Sequence, residues 1–249
     1  MKIQTLTLFP GMFQAVMGES IVGRAIEKGL LELEVINIRD YSEDKHRKTD
    51  DYPFGGGAGM VMTPQPVFSA LEAVGTHGKR LIYMSPRGRA LDQALVGELA
   101  REDGMVLLCG HYEGLDERVL SYFSMEEISL GDFILTGGEL PAMALIDAVV
   151  RLLPGALGNP GAHEEESFCS GLLEYPQYTQ PRVFRGMAAP ETLVSGNHRL
   201  IRLWKFEESV KLTLERRPDL FAAFLARKDE LGKDERRILG EYENFINLL

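Results

Sequence analysis

Residues 131–143, GDFILTGGELPAM, join a short apolar run to a helical pattern. The apolar run at 133–135 is typical of a buried segment; it ends at Thr136 and is followed by two glycines, a carboxylate and a proline. A plain turn would account for one glycine. Because glycine lets other groups approach the main chain closely, the pair predicts that something lies against this backbone.

Outward from this stretch, apolar runs alternate with helical patterns over about residues 1–160. The helical patterns include LDQALVGELA (91–100) and LDERVLSYF (115–123), and ELPAMALIDAVVRLL (139–153) closes the series. This alternation predicts an α/β domain with a mostly parallel sheet. The strand-like runs are IQTLTLF (3–9), LELEVINI (31–38), RLIYM (80–84), MVLLC (105–109) and EEISL (126–130).

The remaining sequence has a different character. Residues 154–196 contain five prolines, several glycines and no sustained periodicity, which predicts a long loop that is either disordered or functional. From Asn197, a plausible N-cap, the pattern is helical to the end, and apolar residues at 203, 206, 210 and 214 form one face. We therefore expect a domain at 1–160, a linker at 161–196 and a helical domain at 197–249.

Composition excludes several classes of protein. The net charge of −10 argues against a general nucleic-acid coat protein, although local basic surfaces remain compatible with it. No apolar run reaches the roughly 18 residues that a membrane helix needs. No signal peptide is visible, which makes a cytoplasmic location the default expectation. The two cysteines, Cys109 and Cys169, have no zinc-binding spacing, and a disulfide is not expected in a reducing compartment.

Four glycine-bearing segments follow strand-like runs: SPRGR (85–89), GHYEG (110–114), the GD pair at 131–132 and TGGELP (136–141). In an open α/β sheet, ligands bind beyond the carboxyl ends of the strands. The alternative is that each segment is an ordinary turn. Taken as a set, they favour one pocket built largely from backbone. The dinucleotide, phosphate-loop and nucleophile-elbow motifs are absent.

The segment DKHRKTDDYPFGGGAGM (44–60) combines a basic cluster at 45–48 with four glycines. One interpretation is a solvated flexible loop. The other is a loop that contacts phosphates and closes over bound RNA.

The linker segment HEEESFCSGLLEYPQYTQP (163–181) places an acidic run, 164–166, near Tyr175 and Tyr178. Acidic runs are usually solvated. Here, however, the aromatic rings are suited to stack on a base, and a carboxylate on an orderable loop is suited to remove a proton.

The segment SGNHRLIRLWK (195–205) places Arg199, Arg202 and Lys205 three residues apart on a predicted helix. One interpretation is solvated charge balanced by Glu207 and Glu208. The alternative is contact with an RNA backbone.

Together these segments resemble the bacterial tRNA (guanine-N1)-methyltransferases of the TrmD type. The resemblance implies the SPOUT architecture, an α/β fold whose mostly parallel sheet holds a deep trefoil knot, plus a smaller C-terminal helical domain. Knots are otherwise nearly absent from proteins, so the residue patterns alone do not predict one. The segments that carry the resemblance, in order, are LFPGMF, DDYPFGGGAGM, YMSPRGR, GHYEGLDERV, GDFILTGGELPAM, SFCSGLLEYPQYTQP and SGNHRLIRLW.

The resemblance also implies S-adenosylmethionine as the methyl donor, bound bent in the knotted pocket, and a homodimer whose active sites are shared between subunits. A membrane partner is not expected. The cofactor residues implied by position are Ser85, Pro86, Gly110, Tyr112, Glu113, Gly131, Leu135, Gly137, Gly138 and Pro141. The implied tRNA-binding residues are His46, Arg47, Gly59, Glu174, Tyr178, Asn197, His198 and Arg202.

The implied reaction methylates ring N1 of the guanosine immediately 3′ of the tRNA anticodon. That nitrogen must lose a proton, and charge then spreads onto the neighbouring carbonyl oxygen. The resemblance assigns the general base to Glu166 and the cation that faces the oxygen to Arg151. For Arg151 an alternative is an ordinary i,i+4 pair with Asp147, worth a few tenths of a kcal/mol.

Two positions depart from the family pattern. The family has Asp where this chain has Glu166, which leaves open a slower enzyme or a base at Glu165 or Glu174. The chain also has GGGAGM where many members have GGGPGM. The family is associated with a magnesium requirement, for which the sequence offers no independent ligand set.

Two other functions remain open at this point. One is a methyltransferase of the same fold that acts on ribose or on ribosomal RNA. The other is a non-catalytic RNA-binding module that keeps the cofactor pocket.

Overall fold

The computed structural model describes residues 1–158 and 165–243. The chain divides into two compact units, Met1–Pro160 and Gly161–Leu249. Glu164 and the predicted boundary between residues 160 and 161 lie outside the described residues. Separate apolar clusters form the interior of each unit.

The first unit is built on a parallel five-stranded sheet with the order β2-β1-β6-β5-β7. Each of the five predicted strand-like runs forms one of these strands, which confirms the prediction of an α/β fold with a parallel sheet. The strands of the first unit are β1 (Lys2–Thr7), β2 (Glu32–Asn37), β3 (Asp50–Asp51), β4 (Val61–Met62), β5 (Arg80–Ala90), β6 (Gly104–Cys109) and β7 (Glu126–Ser129); those of the second unit are β8 (Val183–Phe184) and β9 (Met187–Ala188).

Helices cover both faces of the sheet because successive strand residues point to opposite sides. In β6, Met105 and Leu107 face one apolar cluster, whereas Val106 and Leu108 face the other. The helices of the first unit are α1 (Pro10–Met17), α2 (Ser20–Glu27), α3 (Pro64–Val74), α4 (Gln93–Leu99), α5 (Glu117–Phe123) and α6 (Glu139–Val150); those of the second unit are α7 (His198–Arg216), α8 (Pro218–Leu225) and α9 (Lys233–Tyr242).

β5 extends beyond the predicted run at 80–84 and carries an irregularity at the SPRG sequence. Met84 and Arg89 both align with Ile128 of β7, so residues 85–88 bulge out of the ladder. Gly88 lies so close to β7 that a Cβ there would stand 2.3 Å from the carbonyl carbon of Glu127. A glycine is therefore required where the bulge crosses the neighbouring strand.

The prediction that residues 133–135 are buried is wrong. Phe133 is 55% exposed and Ile134 is 80% exposed, and the segment is not a strand. The chain leaves the sheet after β7 and comes back to the residues that follow β6 at Gly137 and Gly138. Gly137 pairs with His111, and the N–H of Gly138 donates a hydrogen bond to the carbonyl of Gly110 (2.8 Å). The apolar side chains therefore lie on a surface excursion rather than in the core.

In the second unit, α7, α8 and α9 surround a cluster that contains Val210, Phe221 and Leu239. The Asn197 side chain accepts a hydrogen bond from the N–H of Leu200 (3.2 Å), which confirms the predicted N-cap of α7. Two predictions need correction. The helical pattern breaks at Arg217, before Pro218, and the predicted loop at 154–196 contains the β8–β9 hairpin.

Candidate functional site

A cleft of about 470 Å³ opens where the carboxyl ends of β5, β6 and β7 meet the start of α6. All ten positions predicted to hold the cofactor line this cleft. Their convergence follows from the parallel sheet, which brings the glycine-bearing segments to one edge. Sequence reasoning did not name several other lining residues, among them Tyr83, Arg87, His111, Phe133, Ile134 and Thr136.

The glycines of the cleft are required by close packing. A Cβ on Gly138 would stand 2.8 Å from both the Cα of Cys109 and the backbone nitrogen of Gly110. A Cβ on Gly110 would stand 2.5 Å from the hydroxyl of Tyr83. Real Cβ atoms do not approach backbone as closely as one on Gly138 would, so bare main chain is required there. A Cβ on Gly137 would stand 2.4 Å from the Glu139 carboxylate and 2.8 Å from Nδ1 of His111, so both glycines that precede Glu139 lie in close contact with neighbouring groups.

The buried carboxylate of Glu139 links the start of α6 to the end of β1. Glu139 is 3% exposed, and it accepts a hydrogen bond from the hydroxyl of Thr7 at the end of β1 (2.7 Å). The same hydroxyl accepts from the N–H of Phe9 (2.9 Å). The first turn of a helix favours a negative side chain. Cys109 is fully buried, and this burial, together with the nearby carboxylate, raises the pKa of its thiol.

Two charged or titratable residues of the cleft are constrained by their neighbours. Burial raises the pKa of Tyr83 to about 12, which keeps its phenol neutral at physiological pH. Arg87 pairs with Glu117 (3.2 Å) and Glu127 (3.2 Å) at the rim. Neither residue is suited to act as a general base.

His111 lies between two aromatic rings at the edge of the cleft. Its ring centroid is 5.0 Å from that of Phe9 and 4.8 Å from that of Tyr112. Its Nδ1 is buried and meets no hydrogen-bond partner among the described residues. His111 also pairs with Gly137 in an isolated antiparallel bridge.

The segment at 44–60, which contains four glycines, ends beside the cleft. The N–H of Glu113 donates to the carbonyl of Met60 (2.9 Å), and Met62 pairs with Leu115. Gly59, predicted to bind tRNA, lies against the side chain of Glu113, predicted to bind the cofactor; a Cβ on Gly59 would stand 2.4 Å from that carboxylate. The two predicted sites are therefore adjacent within the first unit.

The other predicted residues of this segment lie at its exposed start. The backbone N–H of His46 donates to the carboxylate of Asp44 (2.7 Å). Arg47 pairs with Asp40 (3.0 Å). Phe54, at the centre of the segment, is fully exposed.

Arg151 follows the last residue of α6 and is not among the residues that line the cleft. The cleft residues Gly138 and Pro141 lie at the start of that helix. At about 1.5 Å per residue, the helix separates Arg151 from them by roughly 15–20 Å along its axis. The backbone N–H of Arg151 donates to the carbonyl of Asp147 (3.2 Å).

In the second unit, the linker residues and α7 lie around Trp204. The rings of Tyr175 and Tyr178 each make an edge-to-face contact with the indole ring. Lys205 pairs with Glu165 (2.7 Å) and Arg199 with Asp234 (2.7 Å). One interpretation of the sequence paired these cations with Glu207 and Glu208, but the ion pairs of Lys205 and Arg199 are with other carboxylates. Glu207 and Glu208 instead pair with Lys211.

Four further predicted site residues lie in the linker segment and at the start of α7. Glu174 accepts a hydrogen bond from the side chain of Gln177. His198 begins α7, and both it and Arg202 are exposed. Glu166 lies in the turn that follows Glu165.

A family model for tRNA (guanine-1)-methyltransferase TrmD matches residues 1–223. The chain belongs to this family. The match confirms the resemblance found in the sequence and the expectation of an enzyme of this family.

Curated relatives agree over nearly their full length. A protein of Alkaliphilus oremlandii is 53% identical over 240 residues, which cover 93% of this chain and 96% of the relative. A Geobacillus kaustophilus protein is 55% identical and covers 88% and 91% of the two chains. A Bacillus velezensis protein is 51% identical and covers 98% and 100%. Each of these relatives is named tRNA (guanine-N(1)-)-methyltransferase.

Two further observations concern metals and membranes. Within residues 1–158 and 165–243, no three His, Cys, Asp or Glu side chains come together as a metal site, so no ligand set supports magnesium binding there. In the same part of the chain, none of the helices has the length and apolar character needed to span a bilayer.

Proposed function

We propose that this protein transfers a methyl group from S-adenosylmethionine to ring N1 of the guanosine immediately 3′ of the tRNA anticodon. One observation carries the proposal. In a chain of the tRNA (guanine-1)-methyltransferase family, every position that the resemblance assigns to the donor lines a single cleft of about 470 Å³. That volume lies within the range of pockets that bind small molecules.

The residues of the cleft fit the donor. Gly110 and Gly138 carry no side chain, so the main chain itself forms this part of the cleft wall. Tyr112 and Leu135 supply apolar surface at the rim, where both are exposed. When bound, S-adenosylmethionine supplies an electrophilic methyl group on a sulfonium centre. The protein's task is to place that group in line with the accepting nitrogen.

The other half of the reaction is proton removal. In this proposal the Glu166 carboxylate accepts the N1 proton of guanine, and the Arg151 guanidinium faces the carbonyl oxygen on which negative charge develops. A positioned general base contributes about 10²–10⁴-fold to a rate. Glu is one methylene longer than the Asp of the family, and its intrinsic acidity is nearly the same.

Two other carboxylates of the loop, Glu165 and Glu174, have contacts of their own. Glu165 is occupied by Lys205 and Tyr175, and these hydrogen bonds lower its pKa, which makes it a weaker base. Glu174 accepts from Gln177. Glu166 is the position that the family motif assigns.

The trefoil knot belongs to the same proposal. Its support is the return of residues 130–138 to the end of β6, where Gly138 bonds to Gly110 and His111 bridges to Gly137. Bare glycine backbone on both sides lets the two segments cross in contact.

A homodimer is supported by exposed apolar side chains of the first unit. Phe9, Met12 and Val16 on or beside α1, and Leu140 on α6, are all at least 38% exposed, and α1 packs beside α6. Monomeric proteins seldom expose such a group of large apolar residues together. The position of Arg151 at the far end of α6 from the cleft also suits active sites that are shared between two copies.

For tRNA binding, the proposal uses the exposed segment around His46 and Arg47, Gly59 beside the cleft, and Asn197, His198 and Arg202 at the start of α7. Tyr178 and Glu174 complete the set of proposed tRNA-binding residues. A cytoplasmic location follows from a tRNA substrate.

The proposal is tested by two measurements on the purified protein. Isothermal calorimetry with S-adenosylmethionine should detect uptake, and its absence at millimolar concentration would contradict the donor assignment. Single-turnover methylation of an unmodified tRNA transcript should place the methyl group on guanine N1. A 2′-O-methyl product would favour the ribose-modifying alternative, and binding without product would favour the non-catalytic module.

A further inference from the structure

The carboxylate of Glu165 holds the start of the linker loop against α7. Its Oε2 accepts from Lys205 Nζ at 2.7 Å and from the Tyr175 hydroxyl at 2.8 Å. The ammonium of Lys205 also lies 4.5 Å from the centroid of the Tyr175 ring, so the three groups form a closed cluster. Cation and aromatic ring attract each other at this distance. Two residues ten positions apart are thus tied to one helix.

The rest of the loop is fixed to the same unit. The N–H of Leu173 donates to the hydroxyl of Thr213 on α7 (2.8 Å), and Leu172 is buried in the helical core. The N–H of Glu174 donates to the hydroxyl of Ser167 (2.9 Å), which closes the loop on itself. We name residues 165–175 the anchored loop. It is held by side chains at both ends and in the middle.

We propose that Lys205 and Tyr175 are positioning residues, which hold Glu165 and thereby fix the backbone of Glu166 on the helical unit. This inference rests on the proposed function, because Glu166 matters only as the base. It replaces the interpretation of Lys205 as a phosphate contact. A lysine whose ammonium is shared between a carboxylate and an aromatic ring is less available to RNA.

The two roles for Lys205 predict different results. A phosphate contact, when removed, weakens RNA binding and reduces the slope of log Kd against log salt by about one. A positioning residue, when removed, slows methylation at saturating tRNA and leaves that slope unchanged. Lys205→Met and Glu165→Gln should therefore behave alike, although one removes a positive charge and the other a negative charge.

The experiment measures three quantities for each variant: the single-turnover rate at saturating tRNA and donor, the tRNA Kd at four salt concentrations, and the donor Kd by calorimetry. Because the cluster is partly exposed, we expect each variant to lower the rate by about 2–5-fold. Both dissociation constants should stay within about twofold, and the double variant should be no slower than either single one.

The chain offers a matched control on the same helix. Lys211 pairs with Glu207 and Glu208, and neither of these ion pairs involves the anchored loop. Lys211→Met should leave the rate unchanged. Lys205→Arg keeps the charge and should recover most of the rate.

Fluorescence separates this inference from the proposed function. Trp204 is the one tryptophan of the chain, and the ring of Tyr175 lies 6.5 Å from it. Release of the anchored loop by Lys205→Met or Glu165→Gln should change its emission, even if the protein methylates no tRNA. The inference is overturned if Glu165→Gln keeps the wild-type rate and emission, or if Lys205→Met lowers the salt slope by about one.

Discussion

The floor of the cleft and the anchored loop hold their geometry by different means. In the cleft, main chain lies on main chain: Gly138 has room for no side chain beside Cys109 and Gly110. In the anchored loop, contacts between side chains fix the backbone, and the side chain of Glu165 is 64% exposed. Backbone packed against backbone in a core deforms little, whereas an exposed ion pair is broken at a small cost in free energy.

The difference fits what each region is proposed to do. A donor cleft must present fixed backbone groups to a small molecule, and one added carbon there costs about 1–3 kcal/mol in overpacking. A loop that carries a base to RNA needs a conformation that is favoured but adjustable, and each exposed pair contributes about 1 kcal/mol or less. Substitutions should therefore separate donor binding from proton transfer.

The largest expected effect is that of Arg151→Ala. Loss of a cation that faces the developing oxyanion should lower the single-turnover rate by about 10²–10³-fold. Donor affinity should stay within a few fold, because Arg151 is not among the residues that line the cleft. Rapid-quench methylation and calorimetry measure the two quantities. Arg101→Ala is the control, since Arg101 is exposed and lies outside the cleft; a near-normal rate for Arg151→Ala would refute its assignment.

Glu166→Gln should lower the rate by about 10²-fold or more, because a positioned base is removed without a change of shape. Glu166→Asp should preserve or raise the rate, since Asp is the family's residue. Donor affinity should be unchanged in both variants. If Glu166→Gln is silent, the base lies elsewhere, and Glu174→Gln is the next variant to measure by the same quench assay.

Gly138→Ala tests the cleft side of the comparison. The backbone at Gly138 has φ −82°, which alanine adopts freely, so the expected cost comes from the close approach alone. Donor Kd should rise by about 10–100-fold, following the overpacking cost. Calorimetry provides the measurement.

Gly97→Ala is the matched control for that variant. Gly97 lies within α4, and a Cβ there meets nothing within 4 Å outside the helix's own backbone. Donor affinity should be unchanged, and the thermal midpoint should hold or rise, because alanine is the better helix former. Equal effects of the two variants on donor Kd would show that glycine at 138 is not required for packing.

The smallest expected effect is a pH dependence of the anchored loop. Hydrogen bonds from Lys205 and Tyr175 lower the pKa of Glu165. The loop's stabilisation is therefore present above the ordinary carboxyl pKa of about 4.3 and is lost as the pH falls through the lowered value. Trp204 emission should change over that acidic window, and Glu165→Gln should abolish the change. A transition that persists in the variant would show that another group controls the loop.

Much of the first unit was predictable from local sequence. Alternating apolar runs identified all five strands of the sheet, and the glycine segments after three of them indicated where a cleft would form. The Asn197 cap of α7 was equally local. These features depend on residues within a few positions of one another, so periodicity and turn chemistry suffice to predict them. The family resemblance, now confirmed, supplied the ten donor positions, whose roles remain a prediction.

Only the tertiary structure decided the contacts between residues that are far apart in the chain. The Phe133–Leu135 run has the composition of a core strand, yet it is not part of a strand and lies exposed. Glu165 and Lys205 are 40 positions apart, and Thr7 and Glu139 are 132 apart. Local pattern carries no information about which distant partner a side chain meets, because the path of the chain decides that. Sequence alone therefore determined the strands and their glycines, and only the folded chain decided which surfaces and charges meet.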